Sequence, residues 1–436
     1  MATQLTVQTP LQLPPSEITS YLDQLWSNDD NGNIGANTFS LLVYQPAWIE
    51  QKLICNGKID GPILGNLRKE IIEAARSLIL EKNLPLSTAP LDDKVITSIS
   101  TNLKKNISND DLRGQHIDNA ISDLKPRRII TLAPTLQDVI ELETSVSAYC
   151  PLLEEGGGNT ACGDAIVFRG GLKSLKDGLD ILENLIPEDL PSWLWWNGSL
   201  DEAPKLLERI SKKDRRLIID SALGNPSSCL NFLNEKLNQE QAVNDLNWLR
   251  LRSWRETLAM VFDPPSRRDS LSKIISIDID IEGDHPVQGL LLASWIADRL
   301  GWKIKSCNKN EKSSINTIEA IFSRKDHTDV RFRLVPTPIG NPNIHPGQIV
   351  GLRLISNSKE SPENSICVIL GSQSSECMKL EAGGMASMEL VEEVVPNQLN
   401  TIEMDVARLL SSSRGNSSPL LARATPIAIK LLEESL

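Results

Sequence analysis

The sequence predicts an N-terminal α/β domain with a doubly wound, mainly parallel sheet, then a C-terminal α+β domain with an antiparallel meander. Three observations predict it. Apolar strand candidates such as RRIITLAP (127–134) and DAIVFRG (164–170) alternate with helical stretches of about ten residues, the pattern of βαβ units. The stretch DLPSWLWWNG (189–198) is apolar on both faces, Trp193 and Trp195 against Leu194 and Trp196, as suits a strand covered on both sides. After Pro265 the strand candidates come in pairs separated by turn residues, the mark of antiparallel pairing.

The elements follow in order. Residues 1–15 are rich in Pro, Gln and Thr and read as unstructured. An amphipathic helix starts near Ser16, and TFSLLVY (38–44) reads as a strand. From Pro62 a helix is expected, with Leu64, Leu67, Ile71, Ala75 and Leu78 on one face. Residues 84–126 are polar and weakly periodic, an elaborated connection. Strands are expected at 127–134, 142–150, 164–170, 189–198 and 215–221, with helices near 172–185, 202–212 and 227–237.

The stretch from Asn244 to Pro265 reads as one helix. Trp248, Leu251, Leu258 and Phe262 share its apolar stripe, and Asp263-Pro264-Pro265 stops it. Residues 272–286 alternate like a strand, and 287–302 form a helix apolar nearly all round, with Gly301 in C-cap position. Strand pairs are expected at 317–323 with 330–335, 349–355 with 365–370, and 377–381 with 386–395, then helices over 401–436 around a linker at 411–419. The expected domains are a partly disordered segment 1–30, an α/β domain 31–240, a Trp/Arg-rich connecting helix 241–265 and an α+β domain 266–436.

Composition excludes several functions. A net charge of -12 over 436 residues argues against nucleic-acid or anionic-membrane partners, which need a basic footprint. No apolar run is long enough for a transmembrane helix, and the N-terminus lacks the charged and apolar regions of a secretory signal. A cytoplasmic protein is expected. The seven cysteines include no Cys-x-x-Cys, so neither a secreted disulfide framework nor a zinc site is indicated.

Catalytic constellations are not legible. His116, His285, His327 and His345 stand far apart, without metal-ligand spacing. The loop at Gly156-Gly157-Gly158 precedes a strand, whereas the dinucleotide fingerprint follows one and opens a helix, and no Gly-Lys-Ser/Thr completes a P-loop. It reads as an ordinary loop, with phosphate binding by a sugar-phosphate or nucleotide sensor as the alternative. No cofactor and no metal are expected. Trp and Arg are enriched at interface hot spots, and Arg250, Arg252 and Arg255 cannot all be buried unpaired. They either meet internal carboxylates or reach a partner.

Asp245, Leu246, Trp248, Arg250, Trp254 and Arg255 form an Asp-Leu-x-Trp-x-Arg-x-x-x-Trp-Arg pattern. With the Trp195-Trp196 strand about fifty residues earlier, RRIITLAP, DAIVFRGG and LLLASWIADRLGW, it resembles the OpcA family of glucose-6-phosphate dehydrogenase assembly proteins, in its longer cyanobacterial form. The resemblance implies a non-catalytic protein that binds glucose-6-phosphate dehydrogenase, favours its active oligomer and serves the oxidative pentose phosphate pathway. Partner contacts are expected from Arg250, Arg252, Trp254 and Arg255. The family is linked to thiol redox control, which admits thioredoxin as a second partner. In a hairpin centred near Ser372, Cys367 and Cys377 are cross-strand neighbours. Opposed Cβ atoms lie about 4.5–5.5 Å apart and a disulfide needs about 3.5–4.5 Å, so a bridge requires the closer class of pair.

Overall fold

The structure is a computed structural model. It describes residues 5–7, 11–27, 38–44, 127–134, 141–151, 163–201, 203–309, 317–338, 347–357, 366–372, 377–384, 390–396, 402–411 and 416–435. The helix expected from Pro62, the connection at 84–126 and the Gly156–Gly158 loop lie outside these residues. The chain divides into two units. The first holds Met1–Asp220, Gln241–Val243 and Thr401–Asn416; the second holds Ser221–Glu240, Asn244–Asn400 and Ser417–Leu436.

In the first unit, β1 (Leu5–Val7) and β2 (Leu11–Gln12) both pair with β5 (Glu143–Pro151). Residues read as unstructured therefore extend a sheet edge. Helix α1 spans Ile18–Ser27. Strands β3 (Ser40–Tyr44), β4 (Arg128–Pro134), β6 (Gly163–Gly170), β7 (Ser192–Trp196) and β8 (Arg216–Ile219) are parallel, in the spatial order β6-β4-β3-β7-β8. In chain order that is third, second, first, fourth, fifth, the half-sheet order of doubly wound folds. Strand β5 runs antiparallel beside β6. Every residue of β7 is buried, as its two apolar faces require.

The single helix expected at 172–185 is two, α2 (Leu172–Asp177) and α3 (Leu179–Asn184), which meet at Gly178. A Cβ at Gly178 would come within 2.7 Å of Leu142 Cδ2, so the break brings the backbone close to a neighbouring side chain. Helix α4 (Pro204–Ile210) carries Pro204 in its first turn, where the missing N–H costs nothing. One buried ion pair anchors the amino-terminal ends of the parallel strands. Arg128 donates Nε to Asp164 Oδ1 at 2.8 Å, Nη2 to Oδ2 at 2.9 Å and Nη1 to the Leu185 carbonyl at 2.8 Å.

The second unit begins with α5 (Pro226–Asn238), whose first two free N–H groups donate to the Asn225 side chain. Strand β9 (Val243–Asp245) lies beside β8 at the edge of the first sheet, and helices α6 (Leu246–Arg250), α7 (Arg252–Val261) and α8 (Pro265–Arg268), strand β10 (Ile274–Glu282) and helix α9 (Val287–Leu300) follow in the second unit. The predicted strand pairs are present. Strands β12 (Ile318–Ser323) and β13 (Asp329–Thr337), β14 (Gln348–Ser356) and β15 (Ile366–Ser372), and β16 (Cys377–Gly384) and β17 (Leu390–Pro396) pair antiparallel. With β11 (Lys303–Lys309) they form an eight-stranded sheet in the order β11-β12-β13-β10-β14-β15-β16-β17. The meander is interrupted once, because β10 pairs parallel with β13. Helix α9 follows β10 directly and buries ten residues, Val287 to Ser294 with Ile296 and Ala297. Gly301 ends it at φ 68°, a left-handed conformation that glycine adopts without strain. Helix α10 (Ile402–Ser411) belongs to the first unit and α11 (Pro419–Glu433) to the second.

Candidate functional site

The stretch that bears the family pattern is not one helix. It is α6, a turn at Leu251 with ψ −3°, and then α7. The Leu251 N–H donates to Trp248 O at 3.2 Å, a bond three residues back, and the normal spacing resumes when Arg255 N–H donates to Leu251 O at 3.0 Å. The apolar stripe survives this step. Trp248, Leu251, Leu258 and Phe262 are all at most 6% exposed.

Asp245 sets the start of α6. Its carboxylate accepts from the N–H groups of Asn247 and Trp248, each at 3.2 Å, as an N-cap should. It also accepts from Ser221 N–H at 2.9 Å and Ser221 Oγ at 2.8 Å. The network continues inward. Asn247 Nδ2 donates to Ser221 Oγ at 3.1 Å, Gln288 Nε2 donates to Asn247 Oδ1 at 2.8 Å, and Gln288 Oε1 accepts from Ile349 N–H at 2.8 Å. Ser221, Asp245, Asn247 and Gln288 are at most 3% exposed. A chain of satisfied buried bonds thus ties the α6 cap to α9 and β14, and fixes the direction in which α7 leaves. The aspartate of the pattern is a structural residue, a role the sequence reading did not assign to it.

The predicted contact residues separate into two groups. Trp254 is 2% exposed, a core side chain rather than a surface one. The Arg255 guanidinium lies 3.7 Å from the Trp248 ring centre. Burial pushes its pKa down to about 10, so it keeps its charge at neutral pH. Arg252 is exposed and pairs with Glu256 at 2.7 Å, four residues on. Arg250 is half-buried. The internal carboxylates that the sequence allowed for these arginines reduce, for Arg252, to one exposed neighbour on its own helix.

The cysteine pair does not have the expected register. The two strands pair antiparallel, but with Ser372 opposite Met378 and Cys367 opposite Gly383. Gly383, which faces Cys367, is six residues from Cys377 along β16, about 20 Å at the usual rise. Gly371 and Ser372, read as turn residues, extend strand β15 instead. Cys367 is a free thiol whose pKa is raised by burial.

In sheets of this parallel order, ligands bind beyond the carboxyl ends of the strands where the order reverses, here between β3 and β7. The last residues of those strands are Tyr44 and Trp196. They stand opposite one another, stack at 3.7 Å with planes 4° apart, and are fully buried. Trp196 Nε1 also donates to Ser199 O at 3.0 Å. The protein's own aromatics fill the ends of the two strands at the switch point. In the second unit a cavity of about 260 Å³ lies among the start of α5 and the ends of β10 and β13, with Asn225, Ile281, Asp284, Leu334 and Leu432 in its wall. No sequence signal marked it. Among the described residues no group of three His, Cys, Asp or Glu side chains is placed to hold a metal ion, and no helix is long and apolar enough to cross a membrane.

Fold and site together define a two-unit α/β protein with a stacked aromatic pair at the switch point of its parallel strands and an arginine-bearing helix in its second unit. Two family profiles match it. One, described as the glucose-6-phosphate dehydrogenase subunit N-terminal domain, matches residues 118–235, and one described as the corresponding C-terminal domain matches 241–425. A protein of Synechococcus elongatus, "Putative OxPP cycle protein OpcA", is 33% identical over 92% of this chain and 91% of its own length. A protein of the same name from Synechocystis sp. is 28% identical over 99% and 94%. The chain belongs to the OpcA family. The 3-ketoreductase KijD10 of Actinomadura kijaniata aligns with a TM-score of 0.39 at 7% identity, over 58% of this chain and 79% of that one, too distant to bear on function.

Proposed function

We propose that this chain is a non-catalytic assembly factor and allosteric activator that binds glucose-6-phosphate dehydrogenase and favours its active oligomer. The observation that carries the reading is the pair of profile matches, both described as parts of a glucose-6-phosphate dehydrogenase subunit and together spanning most of residues 118–425. The aromatic pair at the β3–β7 switch point supports a binding role over a nucleotide-dependent reaction of the chain's own. Activation follows from differential affinity. The chain shifts the dehydrogenase toward its active form only as far as it binds that form better. Arg252, exposed on α7, and Arg250 are the arginines assigned to the contact; Trp254 and Arg255 serve internal packing.

The test is dehydrogenase activity against glucose 6-phosphate concentration, with a matched dehydrogenase, with and without this protein, under reducing and oxidising conditions. A lower apparent KM or a higher maximal rate is the expected result. An unchanged curve in both states overturns the reading. Thiol control is its finer part. A redox-dependent effect supports thiol control, with thioredoxin as a candidate second partner, and equal activation in the two states removes both.

A further inference from the structure

Side chains alternate between the two faces of a sheet, and the eight-stranded sheet of the second unit has one face covered by α9. A Cβ at Gly289 of that helix would stand 2.4 Å from Leu334 Cδ1 and 3.3 Å from Ile281 Cγ2. On the opposite face Arg331, Arg353 and Ile369 are exposed, and Ile321, Val335 and Ile355 are half-buried. Strand register sets that face out in rows. One row runs Glu319, Arg333, Asp278, Arg353, Ile369, Glu381 from β12 to β16. The next row, two residues along the strands, runs Val335, Asp280, Gly351, Gly371, Lys379 from β13 to β16. Nothing lies within 4 Å of a Cβ placed on Gly371, so a hollow opens there beside the exposed Ile369. The Asp280 carboxylate leans over Gly351, its Oδ2 2.9 Å from a Cβ placed there, beside Arg353. Lys379 pairs with Glu381 at 2.6 Å.

The two rows complement each other, which is the condition for a two-fold contact between identical surfaces. A two-fold axis lying in the interface, parallel to the rows, exchanges them between copies. Ile369 then enters the Gly371 hollow of the other copy, Arg353 meets the Asp280 carboxylate over Gly351, and Glu381 meets Lys379. The one like-charged meeting, Asp278 with Asp280, is flanked by Arg333 and Arg353, and Arg333 Nε already donates to Asp278 Oδ1 at 2.8 Å. The third row, Ile321, Arg331, Ser276, Ile355, Cys367 and Gly383, adds one cation. Between β12 and β16 the three rows hold Arg331, Arg333, Arg353 and Lys379 against Asp278, Asp280, Glu319 and Glu381, a net charge of zero on a chain whose total is -12. Two copies therefore repel least across this face. Eight strands at the usual spacing and rise give it roughly 34 Å by about 24 Å, about 800 Å², the area a standard interface buries on each partner. We propose that this open sheet face is a homodimer interface, with Ile369 of each copy seated at Gly371 of the other. The inference concerns self-association and stands apart from the dehydrogenase reading.

The experiment is sedimentation equilibrium of the full-length chain from about 0.5 to about 50 μM, a range that populates interfaces of this area, for wild type, Gly371→Arg, Ile369→Lys and Lys325→Glu. Wild type is expected to reach twice the chain mass at the upper end. Gly371→Arg fills the hollow without meeting its own chain, so it tests the contact and not the fold. Gly371→Arg and Ile369→Lys are each expected to raise the dimer dissociation constant about tenfold or more. Lys325, exposed between β12 and β13, supplies the charge control, and Lys325→Glu is expected to leave the constant unchanged. Thermal unfolding of each variant verifies that it is folded. A wild type that stays monomeric throughout overturns the proposal. A dimer whose constant both face variants leave within about twofold of wild type overturns the assignment to this face. If the wild type is monomeric and the two face variants abolish its binding to the matched dehydrogenase, the face belongs to that partner and the choice of a second copy is overturned.

Discussion

The guanidinium of Arg255 lies over the Trp248 ring at 3.7 Å, although the two residues stand on either side of the break at Leu251. The contact holds the end of α6 against the first turn of α7, where the regular hydrogen-bond spacing is interrupted. Removing it by Arg255→Ala is expected to cost about 1–2 kcal/mol, the range for a partly desolvated cation–π pair, seen as a melting temperature lower by about 2–6 °C. Arg255→Lys, which keeps the charge but not the planar stacking, falls between. A melting curve for Arg255→Ala that superimposes on wild type would show that the contact is incidental.

The Asp245 network makes a stronger prediction. Asp245→Ala deprives two α6 N–H groups and both donors of Ser221 of their acceptor, all in a buried site. The expected loss is about 2–4 kcal/mol, combining a lost cap with buried unsatisfied donors. Gln288→Leu strands Asn247 and the Ile349 N–H, for about 1–3 kcal/mol. Because Asn247 and Gln288 touch, a double-mutant cycle between them by urea unfolding should give a coupling of about 0.5–3 kcal/mol. Strict additivity would mean that the hydrogen bond contributes nothing.

The stacked Tyr44–Trp196 pair bears on ligand binding. Glucose 6-phosphate, NADP and NADPH are expected to leave the melting temperature of the chain unchanged, whereas a ligand at one hundred times its Kd would add about 2.7 kcal/mol of stability. A clear shift with any of them would revive a sugar-phosphate or nucleotide sensor at the Gly156–Gly158 loop.

Glu183 gives the first unit a pH dependence. Burial raises its pKa, but hydrogen bonds from Arg215 and Lys212, with their charges, outweigh burial and hold it below the usual carboxylate value. A lowered folded-state pKa means that the unfolded chain binds the proton more readily, so this pair stabilises above the unfolded pKa and loses its effect as pH falls through the folded one. Glu183→Gln should therefore lower stability at neutral pH and flatten the acid limb of a stability curve. An acid limb identical to wild type would exclude the pair as its source.

The described thiols should be slow. Burial, with a hydrogen bond and charge from Glu434, pushes Cys307 up to about 12, burial raises Cys367, and Cys229 is fully buried. Since the thiolate is the reactive form, peptide-resolved alkylation at pH 8 should label all three well behind an unfolded control. Rapid labelling of Cys367 would contradict its placement.

Sequence alone determined whatever depends on local pattern. The doubly apolar β7, the Trp248–Phe262 stripe, the Gly301 cap and the three antiparallel strand pairs were legible because side-chain period and turn residues are recorded residue by residue. The Asp245 pattern was legible as a family mark, but not as a four-bond acceptor, since its partner Ser221 is brought to it only by folding. Tertiary structure alone decided the rest. Hairpin register turns on where a strand stops, and β15 ran on through Ser372, which moved Cys367 away from Cys377. The parallel pairing of β10 with β13 joins strands about fifty residues apart in sequence. Whether a tryptophan or arginine on an amphipathic helix faces core or solvent depends on what packs against it, which put Trp254 inside and left Arg252 and Met260 outside.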